Sequence, residues 1–222
     1  MIFGGFSRSA VQFLGDLADK NERRWFEANR DVYEAEILGP GRAFVEALRP
    51  GLAALDPAIG VDPRVGRSIF RMNRDLRFSK DKRPYKEELA FRFLSSSEAH
   101  AASGLYMRIR PDLVGVAVGV WAFPPAAQRV FREAAADARR GKELAALMGG
   151  MKVNGCQFTA ESLRRVPKPW PADHPHGDLL RLKGLVVGMD FPLPPELHSR
   201  AFVEWSLDQW ERIRPIHAWL AD

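Results

Sequence analysis

Cysteine is almost missing from this chain: Cys156 is the only one among 222 residues. A single thiol excludes an internal disulfide and a zinc–thiolate site. Long apolar runs are missing too. The longest, Leu113 to Pro125, is interrupted by glycine and proline and is too short to span a bilayer. The opening Met1-Ile2-Phe3-Gly4-Gly5-Phe6 has no basic region followed by an apolar core, so it does not read as a signal peptide. These absences predict a cytoplasmic protein without membrane association. The chain also has no Walker loop, no G-x-G-x-x-G and no G-x-S-x-G, which removes the commonest routes to nucleotide hydrolysis, dinucleotide binding and serine hydrolysis. No cofactor is expected.

What is present is an ordinary globular composition. Hydrophobic residues make up 46% and charged residues 27%, which argues against disorder. The length fits a single globular domain over 1–222. Lysine is scarce, at eight of 33 basic residues, so the pI near 9.6 comes mainly from arginine.

The positive charge is local. Between Arg64 and Arg92 there are ten Arg or Lys against four Asp or Glu, a balance of +6 in a chain of +5. The centre of this window reads Arg71-Met72-Asn73-Arg74-Asp75-Leu76-Arg77-Phe78-Ser79-Lys80-Asp81-Lys82-Arg83-Pro84-Tyr85-Lys86. Concentrated cations face either an anion or internal carboxylates. Arg74, Arg77, Lys80, Lys82 and Lys86 are candidate anion ligands, because guanidinium binds phosphate or carboxylate in a fork and ammonium adds a point charge. Tyr85 is a candidate anion ligand beside Lys86, or a ring packed at the Pro84 turn. Asp75 is the candidate orienting residue, or an ordinary ion-pair partner. Neither Asp75 nor Asp81 suits a general base, since neighbouring cations lower carboxylate basicity.

Helical spacing predicts a first helix capped by Ser7 or Ser9, and a second from Arg23 to Leu38 capped by Asn21 and ended by Gly39-Pro40-Gly41. On the second helix Trp25, Asn29 and Tyr33 share a face. Asn29 and Arg30 are further candidates to complete a pocket at the basic loop. Phe44 to Leu55 reads as another helix. Ser68 to Asn73 reads as a strand, Asp75 to Lys86 as a loop, and Leu89 to Leu94 as the return strand. A hairpin turns at Pro111-Asp112. Ala126 to Arg140 is helical, Gly184 to Phe191 a strand, and a final helix carries Phe202, Trp205 and Trp210. The expected fold is α+β: N-terminal helices, a central antiparallel or mixed sheet, and C-terminal helices.

Asp173-His174-Pro175-His176-Gly177-Asp178 holds four metal-type ligands, but its spacing fits no helical zinc motif and a helix start explains it, so no metal is expected. Cys156 reads as a small buried hydrophobe.

The chain resembles a family of uncharacterised, mostly bacterial proteins, the domain-of-unknown-function family 2461. The resemblance rests on Asn21 to Arg30 with Tyr33-Glu34, and above all on Phe70 to Lys86. Gly104-Leu105-Tyr106, Val118 to Pro124, Leu163 to Lys168 and Asp173-His174-Pro175 follow in the expected order. The chain departs from the pattern at Glu22, at Ala117-Val118 and at Pro169, and the loss of glycine near 117 argues against a ligand approaching the backbone there. The resemblance implies one compact domain with a shared site around 71–86, and supplies no reaction.

Two functional classes follow. The first is a protein binding a small phosphorylated or carboxylated ligand at the basic loop, with catalysis on that ligand left open. The second is a nucleic-acid-binding module using the same cations with Phe78 and Tyr85 as stacking rings. A third reading makes the motif a folding element held by internal ion pairs.

Overall fold

The computed structural model describes residues 2–77, 79–95 and 103–222. The fold is α+β, with helices at both ends of the sequence and a five-stranded antiparallel sheet between them in the order β1-β2-β3-β5-β4. The strands are β1 (Leu89–Leu94), β2 (Gly104–Ile109), β3 (Leu113–Val120), β4 (Gln157–Thr159) and β5 (Leu185–Pro192). The β2–β3 hairpin closes where Arg110 N–H donates to the Leu113 carbonyl.

Residues group into two compact units. The first comprises Met1–Phe93, Tyr106–Val116 and Asp190–Gln209; the second comprises Leu94–Leu105, Ala117–Met189 and Trp210–Asp222.

The first unit begins with α1 (Arg8–Asp19), where Ser7 Oγ accepts from Ala10 N–H as the sequence predicts. The expected single helix from Arg23 to Leu38 is instead three pieces. These are α2 (Arg23–Ala28), a single turn α3 (Arg30–Val32), and a π-helical turn Tyr33–Leu38 that runs directly into α4 (Gly39–Leu55). Gly39-Pro40-Gly41 therefore does not end the helix. A proline inside a regular α-helix collides with the preceding turn and leaves a carbonyl without its donor. The wider π turn, with Gly39 N–H reaching Glu34 O, brings Pro40 into the first turn of α4, where a missing N–H costs little.

Buried rings dominate this unit. Phe44 is fully buried and packs against Phe3, Phe6, Phe91 and Phe202 at centroid distances of 5.0, 5.6, 5.3 and 5.2 Å. A second cluster joins Phe13, Trp25, Phe26, Tyr33 and Tyr85. The second cluster is the one that reaches the basic loop.

In the second unit the expected helix over Ala126 to Arg140 is divided at Asp137. That residue ends α5 (Pro125–Ala136) and caps α6 (Ala138–Val153) by accepting from Arg139 and Arg140 N–H. A helix interrupted by a good capping residue is better described as two. α7 (Gly177–Leu180) and α8 follow; α8 (Phe202–Ala221) brings Trp219 onto Phe131. Arg140 lies over the Trp219 ring, donates to the Trp219 carbonyl and accepts Trp219 Nε1–H on its own. β4 pairs antiparallel with β5, with Phe158 opposite Val187.

Gly119 is the one position near 117 where backbone approach is close. Its φ is +133°, and a Cβ there would lie 2.0 Å from the Leu185 carbonyl oxygen. The approach is strand against strand. Gly119→Ala is expected to destabilise the protein by about 1–3 kcal/mol, the usual cost of a strained backbone. Gly149→Ala, in α6 with open space around it, is expected to be neutral or to stabilise by about 0.5–1 kcal/mol. Thermal melts of the two variants against wild type check the contrast.

Candidate functional site

The basic stretch is a ribbon folded back on itself. Phe70 N–H donates to Ala90 O and Arg92 N–H to Ser68 O; further out, Lys86 N–H donates to Met72 O and Arg74 N–H to Pro84 O. Isolated bridges join Ile69 to Phe91 and Asn73 to Tyr85. The expected return strand is β1, but the expected strand over Ser68 to Asn73 is not formed: that arm pairs only by isolated bridges, and the pairing reaches Pro84 to Lys86, within the expected loop. Between the two paired stretches, the single residue Arg71 faces three: Glu87, Glu88 and Leu89. An uneven pairing of this kind breaks the alternation of faces and re-aims the side chains beside it.

One side chain clamps the ribbon from outside. Asn21 is buried; its Nδ2 donates to Tyr85 O at 3.0 Å, and its Oδ1 accepts Tyr85 N–H at 2.9 Å. The amide thus imitates a strand neighbour. It does not cap α2, whose N-cap is Glu22 with no side-chain bond. The Tyr85 ring stacks on Phe26 at 4.2 Å. Burial raises its phenol pKa, with Glu27 adding to the effect, so it is a neutral core ring at physiological pH.

The tip of the ribbon neutralises itself. Arg77 forks onto Asp75 at 3.0 and 2.6 Å, and Arg83 onto Asp81 at 2.9 and 2.7 Å. In each pair the same carboxylate accepts the backbone N–H of the arginine two residues on. Asp62 and Arg64 repeat the device. A turn in which Asp bonds its own backbone sets the guanidinium beside the carboxylate. Asp81 also receives Arg74 at 2.6 Å, and Arg83 reaches Glu87. The Arg83 and Arg74 hydrogen bonds hold the Asp81 carboxyl far below the usual range. Its contribution to stability is thus complete above the ordinary carboxylate pKa and is lost only as pH falls through the lowered value.

The remaining candidates lie apart. Lys80 and Lys82 are exposed, and Lys82 Nζ donates to Leu76 O at 3.3 Å. Asn29 Nδ2 donates to Trp25 O, one turn back, and the exposed Arg30 meets Glu27 at 3.5 Å. Phe78 lies outside the described residues. His174 Nδ1 accepts His176 N–H within its own turn, and burial pushes the Cys156 thiol up. Among the described residues no group of three or more His, Cys, Asp or Glu is placed to hold a metal, and no helix is long and apolar enough to cross a membrane.

The base of the ribbon has a different character. Lys86 Nζ lies 4.6 Å from the centre of the Phe70 ring, and the Arg92 guanidinium carbon 5.2 Å from the same ring. Arg92 is held by the Arg67 and Gly66 carbonyls. Among the described residues neither cation has a carboxylate within ion-pair distance. Lys86 is half-buried. Desolvation lowers its pKa, opposed by Glu88 and reinforced by Arg71 and Arg92.

A family comparison matches residues 9–219 with the description "Conserved hypothetical protein (DUF2461)". The chain belongs to this family. Comparison with curated proteins and with solved structures gave no match. Within this DUF2461 chain, Lys86 alone of the candidate ligands lies in the base cluster. Arg71, Arg92 and Phe70 were not among the sequence candidates. Arg71 opens the charged stretch and Arg92 closes the wider window, and the one signal for them was a position at its margins, beside apolar residues.

Asn21→Ala removes both bonds to the Tyr85 backbone and leaves buried polar groups unpaired, expected to cost about 2 kcal/mol. For a chain of this size that lowers Tm by roughly 4–8 °C. Limited proteolysis should then cut within 74–84 faster than in wild type.

Proposed function

We propose that this protein binds a small phosphorylated or carboxylated ligand at the base of the basic ribbon, with Lys86 and Arg92 as the principal ligands and Arg71 beside them. The observation that carries the reading is the convergence of Lys86 and Arg92 on one aromatic ring without a carboxylate partner. A ring face attracts a cation, but it leaves the N–H groups on the far side available for an acceptor. The lowered pKa of Lys86 has an energetic meaning. Its folded value lies below the unfolded one, so the charged form carries a penalty at neutral pH that is relieved as pH rises toward the ordinary lysine value. A bound anion relieves the same penalty without raising pH.

The loop tip serves this reading as scaffold. Arg74, Arg77 and Arg83 are held by Asp75, Asp81 and Glu87, which leaves a nucleic-acid footprint little beyond Lys80 and Lys82 at the tip. Asp75 positions Arg77 and has no direct part in ligand binding. The single cysteine fits a reducing, cytoplasmic setting, where phosphorylated and carboxylated metabolites are plentiful.

Calorimetric titration with inorganic phosphate and with oxalate tests the proposal. Wild type should bind at least one of them. Lys86→Met and Arg92→Gln should weaken that binding by about tenfold or more, in line with losing one charge-assisted hydrogen bond. Arg77→Gln should bind as wild type does. Affinity should fall as pH rises through the lowered pKa of Lys86. Loss of binding in Arg77→Gln with retention in Arg92→Gln would move the site to the tip.

A further inference from the structure

All eight lysines lie among the described residues, and seven of them are exposed. Only Lys86 is half-buried. Lys183 pairs with Glu161 and Lys82 donates to a carbonyl, whereas Lys86 Nζ stands over the Phe70 ring, which the Arg92 guanidinium also faces. Its backbone is fixed at the uneven step of the ribbon by the bond to Met72 O, and the next residue inward, Tyr85, is clamped by Asn21. The amine is therefore positioned, partly dehydrated and acted on by two cations as well as one carboxylate. Desolvation and neighbouring cations are the conditions that make a lysine a nucleophile at neutral pH. Desolvation is the largest influence on it; the charged groups acting on it are Glu88, which opposes, and Arg71 and Arg92, which reinforce, and its pKa is lowered.

Resting on the anion reading above, we propose that Lys86 Nζ forms an imine with a small aldehyde or ketone that carries a carboxylate, with Arg92 gripping the carboxylate. The neutral amine attacks the carbonyl carbon and a C–N bond forms. The carbonyl π pair moves to oxygen, which takes up a proton, while nitrogen loses one. The carbinolamine then expels water as the nitrogen lone pair makes the C=N bond. Amine and carbonyl become imine and water, with no change of oxidation state. The two-point contact gives the guanidinium that shares Phe70 with the amine a role: it selects a carbonyl with an anionic neighbour and further disfavours the ammonium form. Anion binding without reaction is favoured by protonated Lys86, and imine formation by the neutral amine, so the two have opposite pH dependence.

Reductive trapping tests this directly. Wild type is treated at neutral pH with glyoxylate and cyanoborohydride, and the alkylated lysines are located by peptide mass mapping. Lys86 is expected to label faster than each of the seven other lysines, Lys152 included, which also stands over a ring at 5.7 Å from Phe158. Oxalate, which carries the charge but forms no imine, should protect Lys86 selectively. Arg92→Gln should slow trapping of glyoxylate at Lys86 but not trapping of propionaldehyde, which has no carboxylate. Lys86→Arg should lose that label and keep the others. Labelling spread over all lysines by exposure, with oxalate still raising Tm, would overturn the imine and leave the anion site standing. Neither protection nor a Tm shift with oxalate would overturn both. The wild-type selectivity and the oxalate arm need no variant to fold.

Discussion

The Asn21 amide against the Tyr85 backbone is the contact on which the basic ribbon depends. The 68–74 and 84–92 arms share only a few hydrogen bonds, and their pairing is offset in the middle. Such a ribbon has little claim to stability by itself. Asn21 supplies a donor and an acceptor from a separate element, and Phe26 covers the Tyr85 ring on the next turn. Because both polar atoms of the amide are used and buried, removing either leaves an unsatisfied group, which costs more than the bond itself contributes. The direction of Lys86, the residue after Tyr85, follows from that clamp.

Two kinds of cation then stand within one short stretch. At the tip, Arg77 and Arg83 each lie two residues beyond an aspartate, where the local turn brings their charges together, and Arg74 joins Asp81 across the loop. These pairs are exposed, and exposed pairs add little to stability; their effect is to neutralise. At the base, Lys86 and Arg92 have no such aspartate and stand over Phe70 instead. The difference in pairing between these two groups of like residues separates scaffold from candidate site more sharply than charge density does.

Much of the fold was legible from spacing alone. Ser7 as a cap, the hairpin at Pro111-Asp112 and the return strand from Leu89 all follow from local rules of side-chain periodicity and turn chemistry. Gly39-Pro40-Gly41 misleads because a π turn, a non-local accommodation of helix to packing, brings Pro40 into the start of the next helix. Asp137 was hidden inside a helical pattern because its neighbours keep the period while its own side chain takes up the next helix's N–H groups. At the site, the Asp-x-Arg pairs were visible in sequence as a choice between an anion clamp and internal pairing. The partner of Asn21 was not, since it lies 64 positions away. The pairing of Phe70 with Lys86 and Arg92 likewise depends on the register of the ribbon, which a two-residue slip would change.

The most direct test of this account is the titration of the lysine side chains by NMR, following the carbon next to each Nζ with and without inorganic phosphate. The account predicts that one lysine, assigned to Lys86 by its loss in Lys86→Arg, titrates below the other seven, and that phosphate raises its pKa while leaving the others in place. A Lys86 that titrates with the exposed lysines and does not respond to phosphate or to oxalate would contradict the claim that the base of the ribbon is an anion site.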